Sequence, residues 1–186
     1  MSEIVFFLEE RSAEALLKII IPKILNPVPT CRYIVFEGKQ DLDKRLTNRM
    51  RGYLVPNARF VVLRDQDSGD CRVIKHSLRA KCNDALRPEA LIRIACRELE
   101  SWYLADMLAI EKGLRVSGLT RCKDKRGYRN PDLIQSPARE LARLVKTYQK
   151  IAGARSIAPY MNLENTASQS FRQFVDGIRR LAQPNV

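Results

Sequence analysis

Short apolar runs and longer amphipathic runs alternate along the first 110 residues. Ile4–Leu8 (IVFFL) is continuously apolar and predicts a buried strand. Ser12 offers an N-cap for the next run, AEALLKIIIPKIL, whose helical periodicity Pro22 ends or kinks. Residues 31–38 (CRYIVFEG) predict a second strand, and KQDLDKRLTNRMRGYL a second helix with Leu42, Leu46, Met50 and Tyr53 on one face. Residues 59–63 (RFVVL) predict a third strand, which the polar run RDQDSGD ends. Residues 70–86 predict a third helix, residues 91–96 (LIRIAC) a fourth strand, and ELESWYLADMLAI a further helix. Continuous apolar strands separated by helices argue for a mainly parallel, four-stranded, Rossmann-like sheet flanked by helices.

Beyond residue 110 the strand-like runs vanish. Residues 113–136 are polar and read as loop; residues 137–151 and 168–182 read as helices. The chain thus divides into an α/β core, residues 1–110, and a helical, basic C-terminal extension, residues 111–186, packed on it. In the first C-terminal helix Arg139, Arg143, Lys146 and Lys150 recur at helical spacing and form one stripe, opposite Leu141, Leu144, Val145 and Tyr148. No acid falls in that stripe, although a salt-bridged surface would normally include one. It reads either as a phosphate-contacting face or as an ordinary solvated one.

Charge sharpens that choice. Lys and Arg total 33 against 21 Asp and Glu, a net charge of +12 in 186 residues. Such a surplus favours a polyanionic partner, nucleic acid or an acidic membrane face. No run of 18 apolar residues predicts a span, and Ile4–Leu8 is too short for a signal core and runs into Glu9 and Glu10, so a cytoplasmic protein is expected. The five cysteines are scattered and form no CxxC pair, as reduced thiols would be. His76 is the single histidine and sits on the third predicted helix as a solvated residue. One histidine excludes two-histidine zinc sites and histidine-pair nuclease chemistry, and its helical setting argues against a Ser-His or Cys-His relay. Gly38-Lys39 lacks the rest of a phosphate-binding loop. Any chemistry must therefore rest on carboxylates.

Ligands of open parallel sheets bind beyond the carboxyl ends of the strands. Glu9 and Glu10 follow the first strand, Asp65 and Asp67 the third, and Glu98 and Glu100 the fourth. Gathered carboxylates repel, and a divalent cation removes that repulsion. Asp65 and Asp67, two apart, point to one side if the backbone is extended. Glu98 and Glu100 both face the site in extended backbone, but only one does if the helix has begun. Alone, each motif is weak: Asp is common in loops, and a Glu before a helix complements its dipole. Trp102 reads as core more readily than as a base-stacking platform.

The order strand-Glu, helix, strand, helix, strand-DxD resembles the Toprim pattern of certain primases, topoisomerases and metal-dependent nucleases. LEERSAEALLK (residues 8–18) is similar to its opening motif and VVLRDQD (residues 61–67) to its strand leading into DxD. Over essentially the whole chain, FEGKQDL, RELESWYLAD, KIAGARSIAP and SFRQFVDGIRRL resemble the Toprim-like family called domain of unknown function 4276, related to OLD-type and antiphage-defence Toprim nucleases. That resemblance implies a Mg²⁺-dependent phosphodiester enzyme, with Mn²⁺ as a substitute, acting on DNA or RNA. It also implies an ABC-type ATPase partner and a role as a defence effector. Glu9 is the implied catalytic acid or base, with Glu10 as the rival because it stands where many Toprim proteins have Gly. Asp65 and Asp67 are the implied metal ligands, with Glu9, Glu98 and Glu100 as further candidates. Lys39, the Arg139, Arg143, Lys146 and Lys150 stripe, and Arg155 are the candidates for holding nucleic acid. Two rivals stand beside this reading: a non-catalytic nucleic-acid-binding or regulatory module on the same sheet, and other Toprim chemistry. Strand passage and primer synthesis both require further domains.

Overall fold

The computed structural model describes residues 3–165 and 167–183. Four strands, β1 (Ile4–Leu8), β2 (Cys31–Val35), β3 (Arg59–Asp65) and β4 (Leu91–Ala95), form one parallel sheet in the order β2-β1-β3-β4. The connections carry α1 (Arg11–Ile24), α2 (Lys39–Arg51) and α3 (Cys71–Asp84). After β4 come α4 (Glu100–Leu104), α5 (Met107–Leu114), α6 (Pro137–Leu144), α7 (Lys150–Ile157) and α8 (Gln169–Ala182).

Alternation along the strands sorts the core into two layers. Ile4, Phe6, Leu8, Val61, Leu63 and Ala95 pack against α1, α4, α5, α7 and α8. Val5, Phe7, Phe60, Val62, Ile92 and Ile94 pack against Leu42, Leu46 and Met50 of α2 and Leu78 and Cys82 of α3. Both faces are covered, which is why the strands read as unbroken apolar runs. The C-terminal helices fill the first layer with Ile157, Phe171, Phe174 and Ile178. Trp102 is fully buried beside Phe171 and Phe174, with ring centroids 5.3 and 5.1 Å away, and its Nε1 donates to Ser170 Oγ at 2.8 Å. It is a core residue. His76 is exposed on α3, and the five cysteines are free thiols. No described helix is long and apolar enough to cross a membrane.

Several boundaries differ from the sequence expectation: β2 ends at Val35 rather than Gly38, and β3 runs on to Asp65 rather than stopping at Leu63. Glu10, not Ser12, is the N-cap of α1, and the Ser12 hydroxyl donates to the Glu10 carboxylate. The run ELESWYLADMLAI is not one helix: it breaks after Leu104, and the Asp106 carboxylate caps the second piece by accepting from the Ala109 N–H at 3.1 Å. The helix expected over 137–151 stops at Leu144, because Val145 is extended; α7 begins afresh after Gln149, which is extended too. The ring of Tyr148 then folds back over Gly153, where a Cβ would overlap it.

Gly113 sits where α5 crosses α7. A Cβ there would lie 2.7 Å from the Ile157 Cα, so backbone meets backbone with no side chain to yield. Gly113→Ala is expected to cost about 1–3 kcal/mol, as overpacking does. Gly127→Ala, where a Cβ meets nothing within 4 Å, should leave stability nearly unchanged. Urea denaturation of the two variants checks this; equal midpoints would contradict the close crossing.

Candidate functional site

β1 connects to β2 on one side, and the chain returns to place β3 on the other. The crevice beyond the ends of β1 and β3 is therefore the topological switch point of the sheet. Leu8 lies opposite Leu63, so the residues just beyond β1 meet the last turn of β3. Glu9 Oε2 accepts the Asp65 backbone N–H at 3.1 Å, joining the two strand ends.

Alternation now separates the charges. Asp65 continues the face of Val61 and Leu63 and is only 8% exposed. Burial pushes its carboxyl well above the usual range, the Glu10, Glu9 and Glu100 carboxylates push further, and Lys150 opposes them. Arg64 takes the other face, with Nη1 2.9 Å from Asp43 Oδ2 and Nε 3.9 Å from Glu9 Oε2. Burial also raises the Glu9 carboxyl; the bond from Asp65 opposes this, and Asp67 reinforces it.

Asp65 and Asp67 do not share a side, as an extended backbone would require. The strand ends at Asp65, the Asp67 N–H bonds back to the Arg97 carbonyl at 2.6 Å, and Asp67 adopts a left-handed φ of 54°. Asp67 Oδ2 accordingly turns to Lys39 Nζ at 2.7 Å. Asp67 thus pairs with Lys39, whereas the Asp65 carboxyl feels the Glu10, Glu9 and Glu100 carboxylates.

The two glutamates after β4 also part. Glu98 Oε2 accepts the Ala138 N–H at 2.7 Å and so caps the start of α6. Glu100 is 1% exposed and faces the acidic centre. Its Oε1 accepts from the Tyr148 hydroxyl at 2.9 Å and lies 4.0 Å from Lys150 Nζ, while its buried Oε2 has no hydrogen-bond partner among the described residues. Lys150 Nζ is 3.3 Å from Glu10 Oε2. Burial alone would lower the Lys150 ammonium, but Glu100, Glu10 and Asp65 together hold it above the ordinary lysine range.

The family described as domain of unknown function (DUF4276) matches residues 8–179. The chain belongs to this family. It is similar in structure to the C-terminal region of the Burkholderia pseudomallei OLD protein, with a TM-score of 0.61 and 16% identity over 96% of this chain and 98% of that one. It is also similar to the C-terminal region of the Xanthomonas campestris pv. campestris OLD protein, with a TM-score of 0.51 and 16% identity over 97% and 95% of the two chains. No curated protein matches the sequence significantly. These likenesses establish the fold of this DUF4276 member as Toprim-like.

The chemistry of this centre fits a divalent cation. The donors are hard carboxylate oxygens, negative charge exceeds the local positive charge, and the Glu100 Oε2 is buried without a partner. Among the described residues no three His, Cys, Asp or Glu side chains converge as a preformed cage. The fit is thus to an ion bound through one or two carboxylates with retained water, as magnesium is.

The basic stripe of the DUF4276 chain is not one surface. Arg139, Arg143 and Lys146 line a single shallow depression on α6. Arg143 is also paired with Glu140, Nη2 to Oε1 at 2.7 Å, an acid at i−3 that the stripe argument left out. Lys150 belongs to α7 and turns to the carboxylates. Lys39 is held by Asp67, and Arg155 is exposed beside Arg11 and Lys18. Sequence reasoning missed Arg64, Tyr103 and Tyr148. The buried Tyr103 hydroxyl has no partner among the described residues and lies near Glu100, Glu10 and Asp65. A Tyr two residues before Lys150, followed by Gly153, was the available sign of a turn at Tyr148.

Burial and the neighbouring carboxylates make ionisation of Asp65 costly. In metal-free buffer at pH 8, Asp65→Asn is expected to raise stability by about 0.5–2 kcal/mol, the usual range for single stabilising substitutions. A lower melting temperature for the variant under those conditions would show that Lys150 already balances the centre.

Proposed function

We propose that this protein is a metal-dependent nuclease that hydrolyses phosphodiester bonds in nucleic acid. The observation that carries this reading is the acidic centre at the switch point: buried Asp65 and Glu100, half-buried Glu10, Glu9 and Asp67, and Lys150 against Glu10 and Glu100. A binding module that only needed the sheet would gain nothing from holding these charges together.

Mg²⁺, or Mn²⁺ in its place, would be held through one or two of Asp65, Asp67, Glu10 and Glu100, and supplies charge neutralisation at the phosphoryl group and an activated water. Glu9 is the proton acceptor: its carboxylate joins the two strand ends, and its raised affinity for a proton suits a general base. The Asp65 N–H fixes its orientation. Lys150 presents an ammonium to a non-bridging phosphate oxygen beside the same carboxylates, and Tyr148 keeps Glu100 in place. Arg139, Arg143, Lys146 and Arg155 hold the backbone of the nucleic acid away from the centre, consistent with the net charge of +12.

The structural relatives match this chain through C-terminal regions of OLD proteins. That supports reading it as the nuclease portion of a defence effector that works with a separate ABC-type ATPase.

Glu9→Gln keeps size but removes the proton acceptor. It should slow Mg²⁺-dependent cleavage of mixed tRNA and DNA by at least about 10²-fold while leaving binding intact. The assay is run with the protein alone and with its ATPase partner. Normal cleavage by Glu9→Gln with loss in Glu10→Gln would transfer the role to Glu10; no cleavage under any condition would leave a binding module.

Charge reversal at Arg139 and Lys146 should weaken binding to many sequences about equally and flatten the dependence of affinity on salt, by a slope of roughly 0.9 per lost phosphate contact on duplex DNA. Salt titrations of wild type and variant with unchanged slope would return this face to an ordinary solvated surface.

A further inference from the structure

A cavity opens along the outer edge of β4 and reaches Gln66, the residue after Asp65. It has a volume of about 400 Å³, within the range of small-ligand pockets. Its walls are two helices. Gln169 and Gln173, four apart and both exposed, stand on one face of α8; Lys75 stands on α3 opposite; Asn130 overhangs from the loop before α6. Arg97 and Gln66 close the end nearest the metal centre, and Gln66 lies directly between Asp65 and Asp67 in the chain. The exposed Leu133 supplies apolar surface at the rim, above the buried Ile92 and Ile94.

We propose that this cavity is a nucleobase subsite, which takes one unstacked base of the nucleic acid whose phosphodiester lies at the carboxylates. The inference rests on the nuclease reading for its substrate and on the cavity for its chemistry. Carboxamides are matched to nucleobase edges because each offers a donor and an acceptor side by side. Gln169, Gln173 and Asn130 make no side-chain hydrogen bond among the described residues, so these groups are open to a ligand. Leu133 supplies an apolar surface for the face of a base, and Lys75 and Arg97 meet its phosphates.

Two alternatives fit less well. Strand addition by a peptide needs a free sheet edge, but the Ile92 carbonyl accepts from Arg93 Nη1 at 2.8 Å and the Cys96 N–H is taken by Ser170 Oγ at 3.4 Å. A simple anion site at the helix starts would need free N–H groups. Asp70 accepts those of Arg72 and Val73 at the start of α3, and Asp132 and Ser168 accept those of Ser170 and Phe171 at the start of α8. Recognition therefore falls to side chains.

The test uses the full chain in buffer containing a chelator, so that binding is read without the metal centre. The four nucleoside 5′-monophosphates and ribose 5-phosphate are titrated by calorimetry or by NMR shifts. At least one nucleotide should bind ten times more tightly than ribose 5-phosphate, and Gln169→Ala with Gln173→Ala should lose at least tenfold of that affinity. Both glutamines are exposed, so the double variant keeps its fold, which a melting curve verifies. Ribose 5-phosphate binding as well as the nucleotides, an unaltered double variant, or no binding at all would each overturn the subsite. Cleavage by the double variant separates this from the nuclease reading: the metal-dependent cut should persist with its base preference flattened. A protein that cuts nothing refutes the nuclease, while the nucleotide titration still decides the cavity.

Discussion

The parallel register of β1 against β3 is the constraint from which the centre follows. With Leu8 opposite Leu63, two residues past the end of β1 reach the level of Asp65, and the Asp65 N–H bonds to Glu9. Alternation then sends Asp65 under the helical layer and Arg64 to the opposite layer. A slip of one residue would exchange them, burying a guanidinium among carbonyl ends and leaving the carboxylate with Asp43. The apolar alternation of IVFFL and RFVVL, both faces of which are packed, prevents that slip.

The helices beyond β4 turn this crowded edge into a closed centre. α4 brings Glu100, α7 brings Lys150, and the extended bend before α7 brings Tyr148. A buried carboxylate is costly to ionise; the Lys150 ammonium beside Glu10 and Glu100 offsets part of that cost, and burial holds the Asp65 and Glu100 carboxyls above their usual range. Lys150 is therefore both a structural counter-charge and, in the proposed reaction, a partner for phosphate. The two roles are compatible because the same carboxylates attract each.

Strands, their order of appearance and the two-sided burial of the sheet were legible because continuous apolar runs of four to eight residues separated by helical periods have few other solutions. The carboxylates at the strand ends were legible for the same reason: position on a parallel strand fixes which edge a residue reaches. What was hidden depends on breaks rather than on periods. Periodicity carried the helix through Val145 to Gln149, where the backbone is pulled out to seat the Tyr148 ring on Gly153, and so a lysine of the centre was assigned to a surface stripe. The choice between Glu98 and Glu100 turned on the left-handed Arg97 and on a helix starting at Glu100. Asp67 turned on a left-handed residue as well. Neither position is a glycine; aspartate tolerates the left-handed region, so Asp67 carried a weak local sign and Arg97 none.

The contact between Lys150 and Glu10 joins residues 140 positions apart. A chain growing from its amino terminus places all of β1, β3 and their acids outside the ribosome well before Lys150 is synthesised. In a chain whose α7 has not yet packed, Glu10 and Glu100 lack this counter-charge. Packing of α7 on the sheet therefore brings the counter-charge to these acids in the same step that helps complete the apolar layer.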